Sequence, residues 1–145
     1  MYHDINDVAT DVERLLKYYE QAAMGTSNGN YPEVTKVTPV LFGDENIYLL
    51  LSDLSGHTRN IREVSNNVTL YFASEHKHAT QMNNPRLTLY GWLELIDQSS
   101  KPDMLAEFDR RDKGAKMYGM FGDFNIWKFV ETDRLYVEGF GKAYK

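Results

Sequence analysis

The stretch Ile47-Tyr-Leu-Leu-Leu-Ser-Asp-Leu-Ser-Gly-His-Thr-Arg-Asn-Ile61 packs hydroxyl, imidazole, guanidinium and amide side chains directly behind an apolar run. The run reads as a buried strand ending at Ser52. A short loop follows, and the pattern beyond it predicts a helix that begins near Thr58. A helix start leaves backbone N–H groups unpaired and presents the positive end of the helix dipole. Arg59 adds a planar donor fork matched to phosphate oxygens, so the chemistry expected here is anion binding. The same spacing also suits an ordinary helix start with a surface arginine. His57 is the histidine inside this stretch, and its imidazole suits either a hydrogen bond at the helix start or contact with a ligand ring.

Other residue clusters carry weaker chemistry. Glu75-His76-Lys77-His78 spaces two histidines at i, i+2, which on a strand would share one face, but no third ligand stands nearby, and a polar loop is the expected form. No metal site is therefore expected. Asp109-Arg110-Arg111-Asp112-Lys113 reads as a solvated mixed-charge face. Met117, Met120, Phe121 and Phe124 surround Gly119 and Gly122 and form either local core or a mobile lid. Tyrosines such as Tyr18, Tyr31, Tyr71 and Tyr90 suit core edges or subunit interfaces. The chain has no Ser–His–Asp order, Walker loop, His-Glu-x-x-His pattern or dinucleotide glycine fingerprint.

The elements that must position these groups follow from periodicity. Ile5, Val8, Val12, Leu15, Leu16 and Tyr19 recur at helical spacing, predicting an N-terminal helix within 1–24, capped by Asp4 or Asn6 and stopped near Gly25. Strands are predicted near 22–27, 33–42, 46–52, 68–73, 86–96, 124–130 and 134–144. The turns are expected at Asn28-Gly29, Gly43–Asn46 and Thr132-Asp133. Leu87, Leu89, Leu93 and Leu95 should share one buried face, interrupted by Gly91, which suggests a bulge or a close backbone approach. Helices over 58–66, burying Ile61 and Val64, and over 101–113, burying Met104, Leu105 and Phe108, interrupt the strands, with a short helical piece near 115–121. The fold class expected is mainly β with peripheral helices (α+β): a small closed or split β-barrel in one domain, 1–145.

Composition narrows the partners. The 145 residues carry 16 Lys+Arg against 21 Asp+Glu, a net charge of −5, which argues against a nucleic-acid partner. There is no cysteine, so disulfides and thiolate chemistry are excluded and a cytoplasmic location is expected. No apolar run approaches the length of a membrane span, so no membrane partner is expected.

The segment Leu50-Leu-Ser-Asp-Leu-Ser-Gly-His-Thr-Arg-Asn60, with Asn28-Gly-Asn-Tyr-Pro32 upstream and Asn84-Pro-Arg-Leu-Thr-Leu-Tyr-Gly91 downstream, resembles the FMN-binding split barrels of the pyridoxamine 5′-phosphate oxidase-like family. The ending Leu135-Tyr-Val-Glu-Gly-Phe-Gly-Lys-Ala143 is similar to the haem-utilisation (haem oxygenase-like) branch of that superfamily. The resemblance spans about residues 22–143, so that 1–24 forms an N-terminal helix and 25–145 a barrel with inserted helices. It implies an FMN-dependent oxidoreductase linked to haem utilisation, acting on a small-molecule substrate or electron acceptor, and a homodimer with flavin at the subunit junction. It implies phosphate contacts from Ser52, Thr58, Arg59 and Asn60, with Arg86 nearer the flavin ring and Trp127 on the C-terminal strand; His57, by imidazole chemistry, is a candidate for contact with either an isoalloxazine or a haem. The alternative is a non-catalytic haem- or tetrapyrrole-binding module that uses the same groove and His57.

Overall fold

The computed structural model describes residues 1–74 and 78–145, so His76 lies outside the described residues. In chain order the elements are α1 (Ala9–Tyr18), β1 (Gln21–Ser27), β2 (Pro32–Lys36), β3 (Val40–Leu41), β4 (Ile47–Ser52), α2 (Gly56–Glu63) and β5 (Asn67–Ala73). β6 (Arg86–Leu95), α3 (Lys101–Arg111), α4 (Ala115–Tyr118), β7 (Phe124–Val137) and β8 (Ala143–Tyr144) follow. All strand ladders are antiparallel, in the order β2-β1-β5-β6-β7-β4-β3, with β8 on β7. The two ends of that order, β2 and β3, are joined by Val37–Pro39, so the sheet curls back on itself as the alternating patterns predicted.

The curled sheet encloses the main core. Met24, Leu49, Leu70, Phe72, Leu87, Leu89 and Leu93 fill it, and α1 closes one side with Val12, Leu15 and Leu16. α3 and α4 pack on the outside of β4 and β7 through Val40, Phe108, Ala115 and Ile126, with Leu50 against them. Alternation along β4 decides this division: Ile47, Leu49 and Leu51 point inward, and Tyr48, Leu50 and Ser52 face the helices and the cleft between them.

Several expectations are corrected. The N-terminal helix does not run to residue 24. A 3₁₀ turn over Ile5–Val8, capped by Asp4, leads into α1, which stops at Tyr18 because Tyr19 turns to extended geometry and is buried with its hydroxyl donating to Pro39 O at 2.6 Å. Gly25 lies inside β1, paired with Thr69. The strand expected over 33–42 breaks in two where Val37 N–H donates to Ala22 O and Pro39 has no N–H to give.

No hairpin forms at Thr132-Asp133; β7 is one strand of 14 residues. Its bend is absorbed by the register shift at Tyr90/Gly91, where a Cβ on Gly91 would lie 2.0 Å from Val130 O. The expected close approach at Gly91 is therefore present, and the turn falls instead at Glu138–Lys142, where Gly139 and Gly141 have positive φ. Leu95, at the end of β6, and Val64, just past α2, are exposed and lie outside the core.

Candidate functional site

α2 begins where β4 leaves the sheet. Ser55 occupies the N-cap position with extended geometry and makes no side-chain capping bond, so the amides of Gly56, His57 and Thr58 lack a side-chain acceptor from the cap. The helix therefore starts slightly earlier than Thr58. Beside its start lies a cleft of about 210 Å³, lined on its polar side by Lys36, Ser52, Ser55, His57, Asp112 and Tyr118. Its apolar walls include Leu50, Phe108 and Phe124.

The residues expected to act together separate into distinct environments. Ser52 and His57 face the cleft. Ser52 Oγ donates to Asp123 Oδ2 at 2.6 Å while accepting from Leu54 N–H at 3.1 Å, so its donor is used. His57 Nδ1 is hydrogen-bonded to Thr35 Oγ1 at 3.0 Å, and its Nε2 is enclosed without a partner. Burial pushes the His57 imidazole below its usual pKa, which favours the neutral ring. Thr58 is fully buried, and its Oγ1 also lacks a partner.

Asn60 faces the barrel, where its amide donates to Thr26 Oγ1 at 3.0 Å and Glu33 Oε1 at 3.1 Å and ties α2 to β1 and β2. Arg59 is exposed and has no side-chain partner among the described residues.

Two expected residues lie away from this cluster. Arg86 opens β6 opposite Ala73 and Val137 and donates to Met82 O at 3.0 Å. The strand end near α2 is instead where Trp92 pairs with Asn67, and six residues of strand place Arg86 about 20 Å from there. Trp127 is on β7 as expected, but it is a core residue: its indole Nε1 has no partner and its ring is covered by the Arg62 guanidinium at 5.0 Å.

Reading the sequence missed Lys36, Asp112 and Tyr118 as cleft residues and Asp123 and Glu33 as partners of Ser52 and Asn60. Ser55 was not singled out either, because the helix was expected to begin near Thr58. Asp112 accepts from Tyr118 OH at 2.7 Å, and burial together with that carboxylate pushes the Tyr118 phenol well above its usual pKa. The phenol therefore serves the cleft as a neutral hydrogen-bonding group. Met117, Met120 and Phe121 are exposed and form no local core. His78 is exposed, and no group of metal-ligating side chains occurs among the described residues. No described helix is long and apolar enough to cross a membrane.

A family model described as CREG, beta-barrel matches residues 15–145. No curated protein shows significant sequence similarity to the chain. Among solved structures, Campylobacter jejuni ChuZ is 22% identical with a TM-score of 0.84, over 97% of this chain and 59% of that one. HutZ, the heme storage protein from Vibrio cholerae, is 17% identical with a TM-score of 0.75, over 92% of this chain and 96% of that one. A candidate pyridoxamine 5′-phosphate oxidase from Listeria innocua is 14% identical with a TM-score of 0.64, over 88% and 95%. The shared architecture is the split barrel, and this chain spans little more than half of ChuZ.

Proposed function

Because this chain belongs to the CREG beta-barrel family, whose fold it shares with a heme storage protein, we propose that it is a ligand-binding split barrel that holds a tetrapyrrole at the cleft beside α2. The observation that carries this reading over a flavin is the state of the expected phosphate donors. Ser52 is spent on Asp123 and Asn60 on Glu33, so a phosphate dianion would meet two carboxylates where it needs two donors. FMN, which the family resemblance implies, does not fit those two residues as they stand.

The residues do offer a tetrapyrrole what it needs. His57 supplies a neutral imidazole at the cleft wall, whose unpaired Nε2 is buried and would reach a ligand only once the ring turns outward. Lys36 and Arg59 supply cations with no partner among the described residues, suited to carboxylates. A bound tetrapyrrole would supply metal coordination chemistry, and this chain's part is to bind and orient it. The cleft is smaller than the 300–1,000 Å³ usual for enclosing a drug-sized ligand, so a ring that large extends over its rim.

The flavin reading retains one observation in its favour, the free Arg59 beside the uncapped first turn of α2. It requires Ser52 and Asn60 to release their carboxylates. A second copy belongs to the proposal: the outer face of β1, β5 and β6 forms a groove of about 600 Å³ lined by Val34, Tyr71 and Tyr90, all exposed. Mass measurement in solution by light scattering tests that part.

The functional test is an absorbance titration with haemin and, separately, with FMN. The expected result is a Soret band on haemin addition, altered in position by His57→Ala, and no tight FMN complex. Absence of a haemin spectral change overturns the reading.

A further inference from the structure

The cleft beside α2 is lined by two chemically different sets of residues. α2 and the residue before it contribute the neutral His57 ring and the Ser55 hydroxyl. The set from α3, α4 and β7 is aromatic and acidic. Phe108 is buried there, the Tyr118 and Phe124 rings meet with centroids 4.9 Å apart and planes at 51°, and Asp112 follows the end of α3 beside them.

The acidic charge on this side is not neutralised. Asp112 Oδ2 accepts from Tyr118 OH at 2.7 Å, and Asp123 Oδ2 accepts from the Ser52 hydroxyl at 2.6 Å, one hydrogen bond behind the cleft wall. A hydroxyl satisfies a carboxylate oxygen and leaves its charge in place. Neither carboxylate has an ion-pair partner among the described residues. Cations that pack nearby are bonded elsewhere: Arg111 lies over the Tyr19 ring at 3.7 Å and donates to Tyr19 O, and Lys101 Nζ donates to Phe121 O and Phe124 O at 3.3 and 2.8 Å. Lys36, the cation among the described lining residues, is exposed at the end of β2, so its charge belongs to the rim.

Volume sets how much of a tetrapyrrole can enter. A dry cavity of about 150 Å³ takes benzene. At the same packing a cleft of about 210 Å³ takes about eight non-hydrogen atoms, the size of one pyrrole ring with a methyl and a vinyl group. The apolar walls, Leu50, Phe108 and Phe124, suit such an edge. A carboxylate carried on the entering pyrrole would meet the Asp112 charge in a half-buried site, where water and salt screen repulsion weakly.

We infer that one apolar pyrrole edge enters the cleft against Phe108, Tyr118 and Phe124 with every carboxylate kept outside it, and that Asp112, reinforced by Asp123, selects tetrapyrroles that have such an edge. The inference rests on the tetrapyrrole reading above and adds which tetrapyrroles the site accepts.

The experiment uses the full chain and two ligands, each followed by Soret absorbance. Haemin carries its carboxylates on two neighbouring pyrroles and leaves the opposite edge apolar. Iron(III) coproporphyrin III carries a carboxylate on every pyrrole. The wild type is expected to bind haemin at least tenfold more tightly than iron coproporphyrin. That ratio should fall at least fivefold in Asp112→Asn and further when Asp123→Asn is added; both substitutions remove charge and keep an acceptor for the Tyr118 and Ser52 hydroxyls, and far-UV circular dichroism checks folding. Equal affinity of the wild type for the two ligands overturns the inference while leaving the tetrapyrrole reading intact. A ratio unchanged in both folded variants also overturns it, because discrimination would then come from size and not from charge. No haemin binding by the wild type removes the tetrapyrrole reading and the inference together.

Discussion

Replacing Glu33 by Gln tests whether a carboxylate, and not the lack of a binding loop, keeps a flavin phosphate out. Asn60 Nδ2 donates its two hydrogens to Thr26 Oγ1 at 3.0 Å and Glu33 Oε1 at 3.1 Å, so a phosphate oxygen that used the same planar amide would displace Thr26 and share the NH₂ group with that carboxylate. Two acceptors of one NH₂, each about 3 Å from nitrogen and 120° apart, lie about 5 Å from one another. At that separation the repulsion per unit of phosphate charge is about 0.8 kcal/mol in water and about 3 kcal/mol at an effective dielectric constant of 20. Glu33→Gln removes the charge and keeps an acceptor for Asn60, so FMN affinity should rise by about 4-fold to over 100-fold. The assay is quenching of flavin fluorescence, with riboflavin as the control because it has no phosphate. The result expected is a gain for FMN alone. An FMN dissociation constant unchanged from wild type, or an equal gain for riboflavin, would refute the electrostatic reasoning.

Two further outcomes test the frame around the site. Gly91→Ala places a Cβ 2.0 Å from Val130 O and 2.8 Å from Phe129 Cζ, a clash with backbone that no side-chain rotation relieves, and should cost about 3 kcal/mol. A urea midpoint lower by more than about 1 M, followed by circular dichroism, is the expected measurement. Acidification should destabilise the fold through His57: burial depresses its folded pKa, so as pH falls below the ordinary imidazole value the unfolded chain binds the proton first, and stability is lost. The slope from this one group cannot exceed about 1.4 kcal/mol per pH unit, and a shallower fall between pH 7 and 5 in His57→Gln, read by thermal melts, would show that His57 is its source.

The sheet was largely legible because its signals are local. Alternation in Arg86–Leu95 identified β6 and its buried face, and Gly91 announced the bulge before its partner Glu131 was known. Where the reading failed, the deciding interaction was distant in the chain. Thr132-Asp133 has turn chemistry, yet the strand runs through it, because Thr132 is the extra residue of a bulge opposite Tyr90 and Gly91 and its Oγ1 donates to Tyr90 O at 3.0 Å. The N-terminal helix ends early because Glu20 N–H is captured by Ala73 O, a pairing with no trace in helical periodicity.

The site divides along the same line. Hydroxyl, imidazole and guanidinium groups near a helix start are a property of consecutive residues, so the cluster around Ser52 and His57 could be read directly. Whether those groups are free is a property of register. Asp123 reaches Ser52 because Ser52 pairs with Phe124 across β4 and β7, and Glu33 reaches Asn60 because β2 folds back on β1 beneath α2. A donor used as a strut between elements cannot also greet an anion without loosening the elements it joins. Asn60 is buried and holds two strands to the helix; Arg59, one residue away, is exposed and holds nothing. Of the polar groups the sequence singled out around α2, the Arg59 guanidinium is the exposed one with no structural duty, and its variants should change binding without changing the fold, whereas His57, tied to Thr35 through Nδ1, should change both.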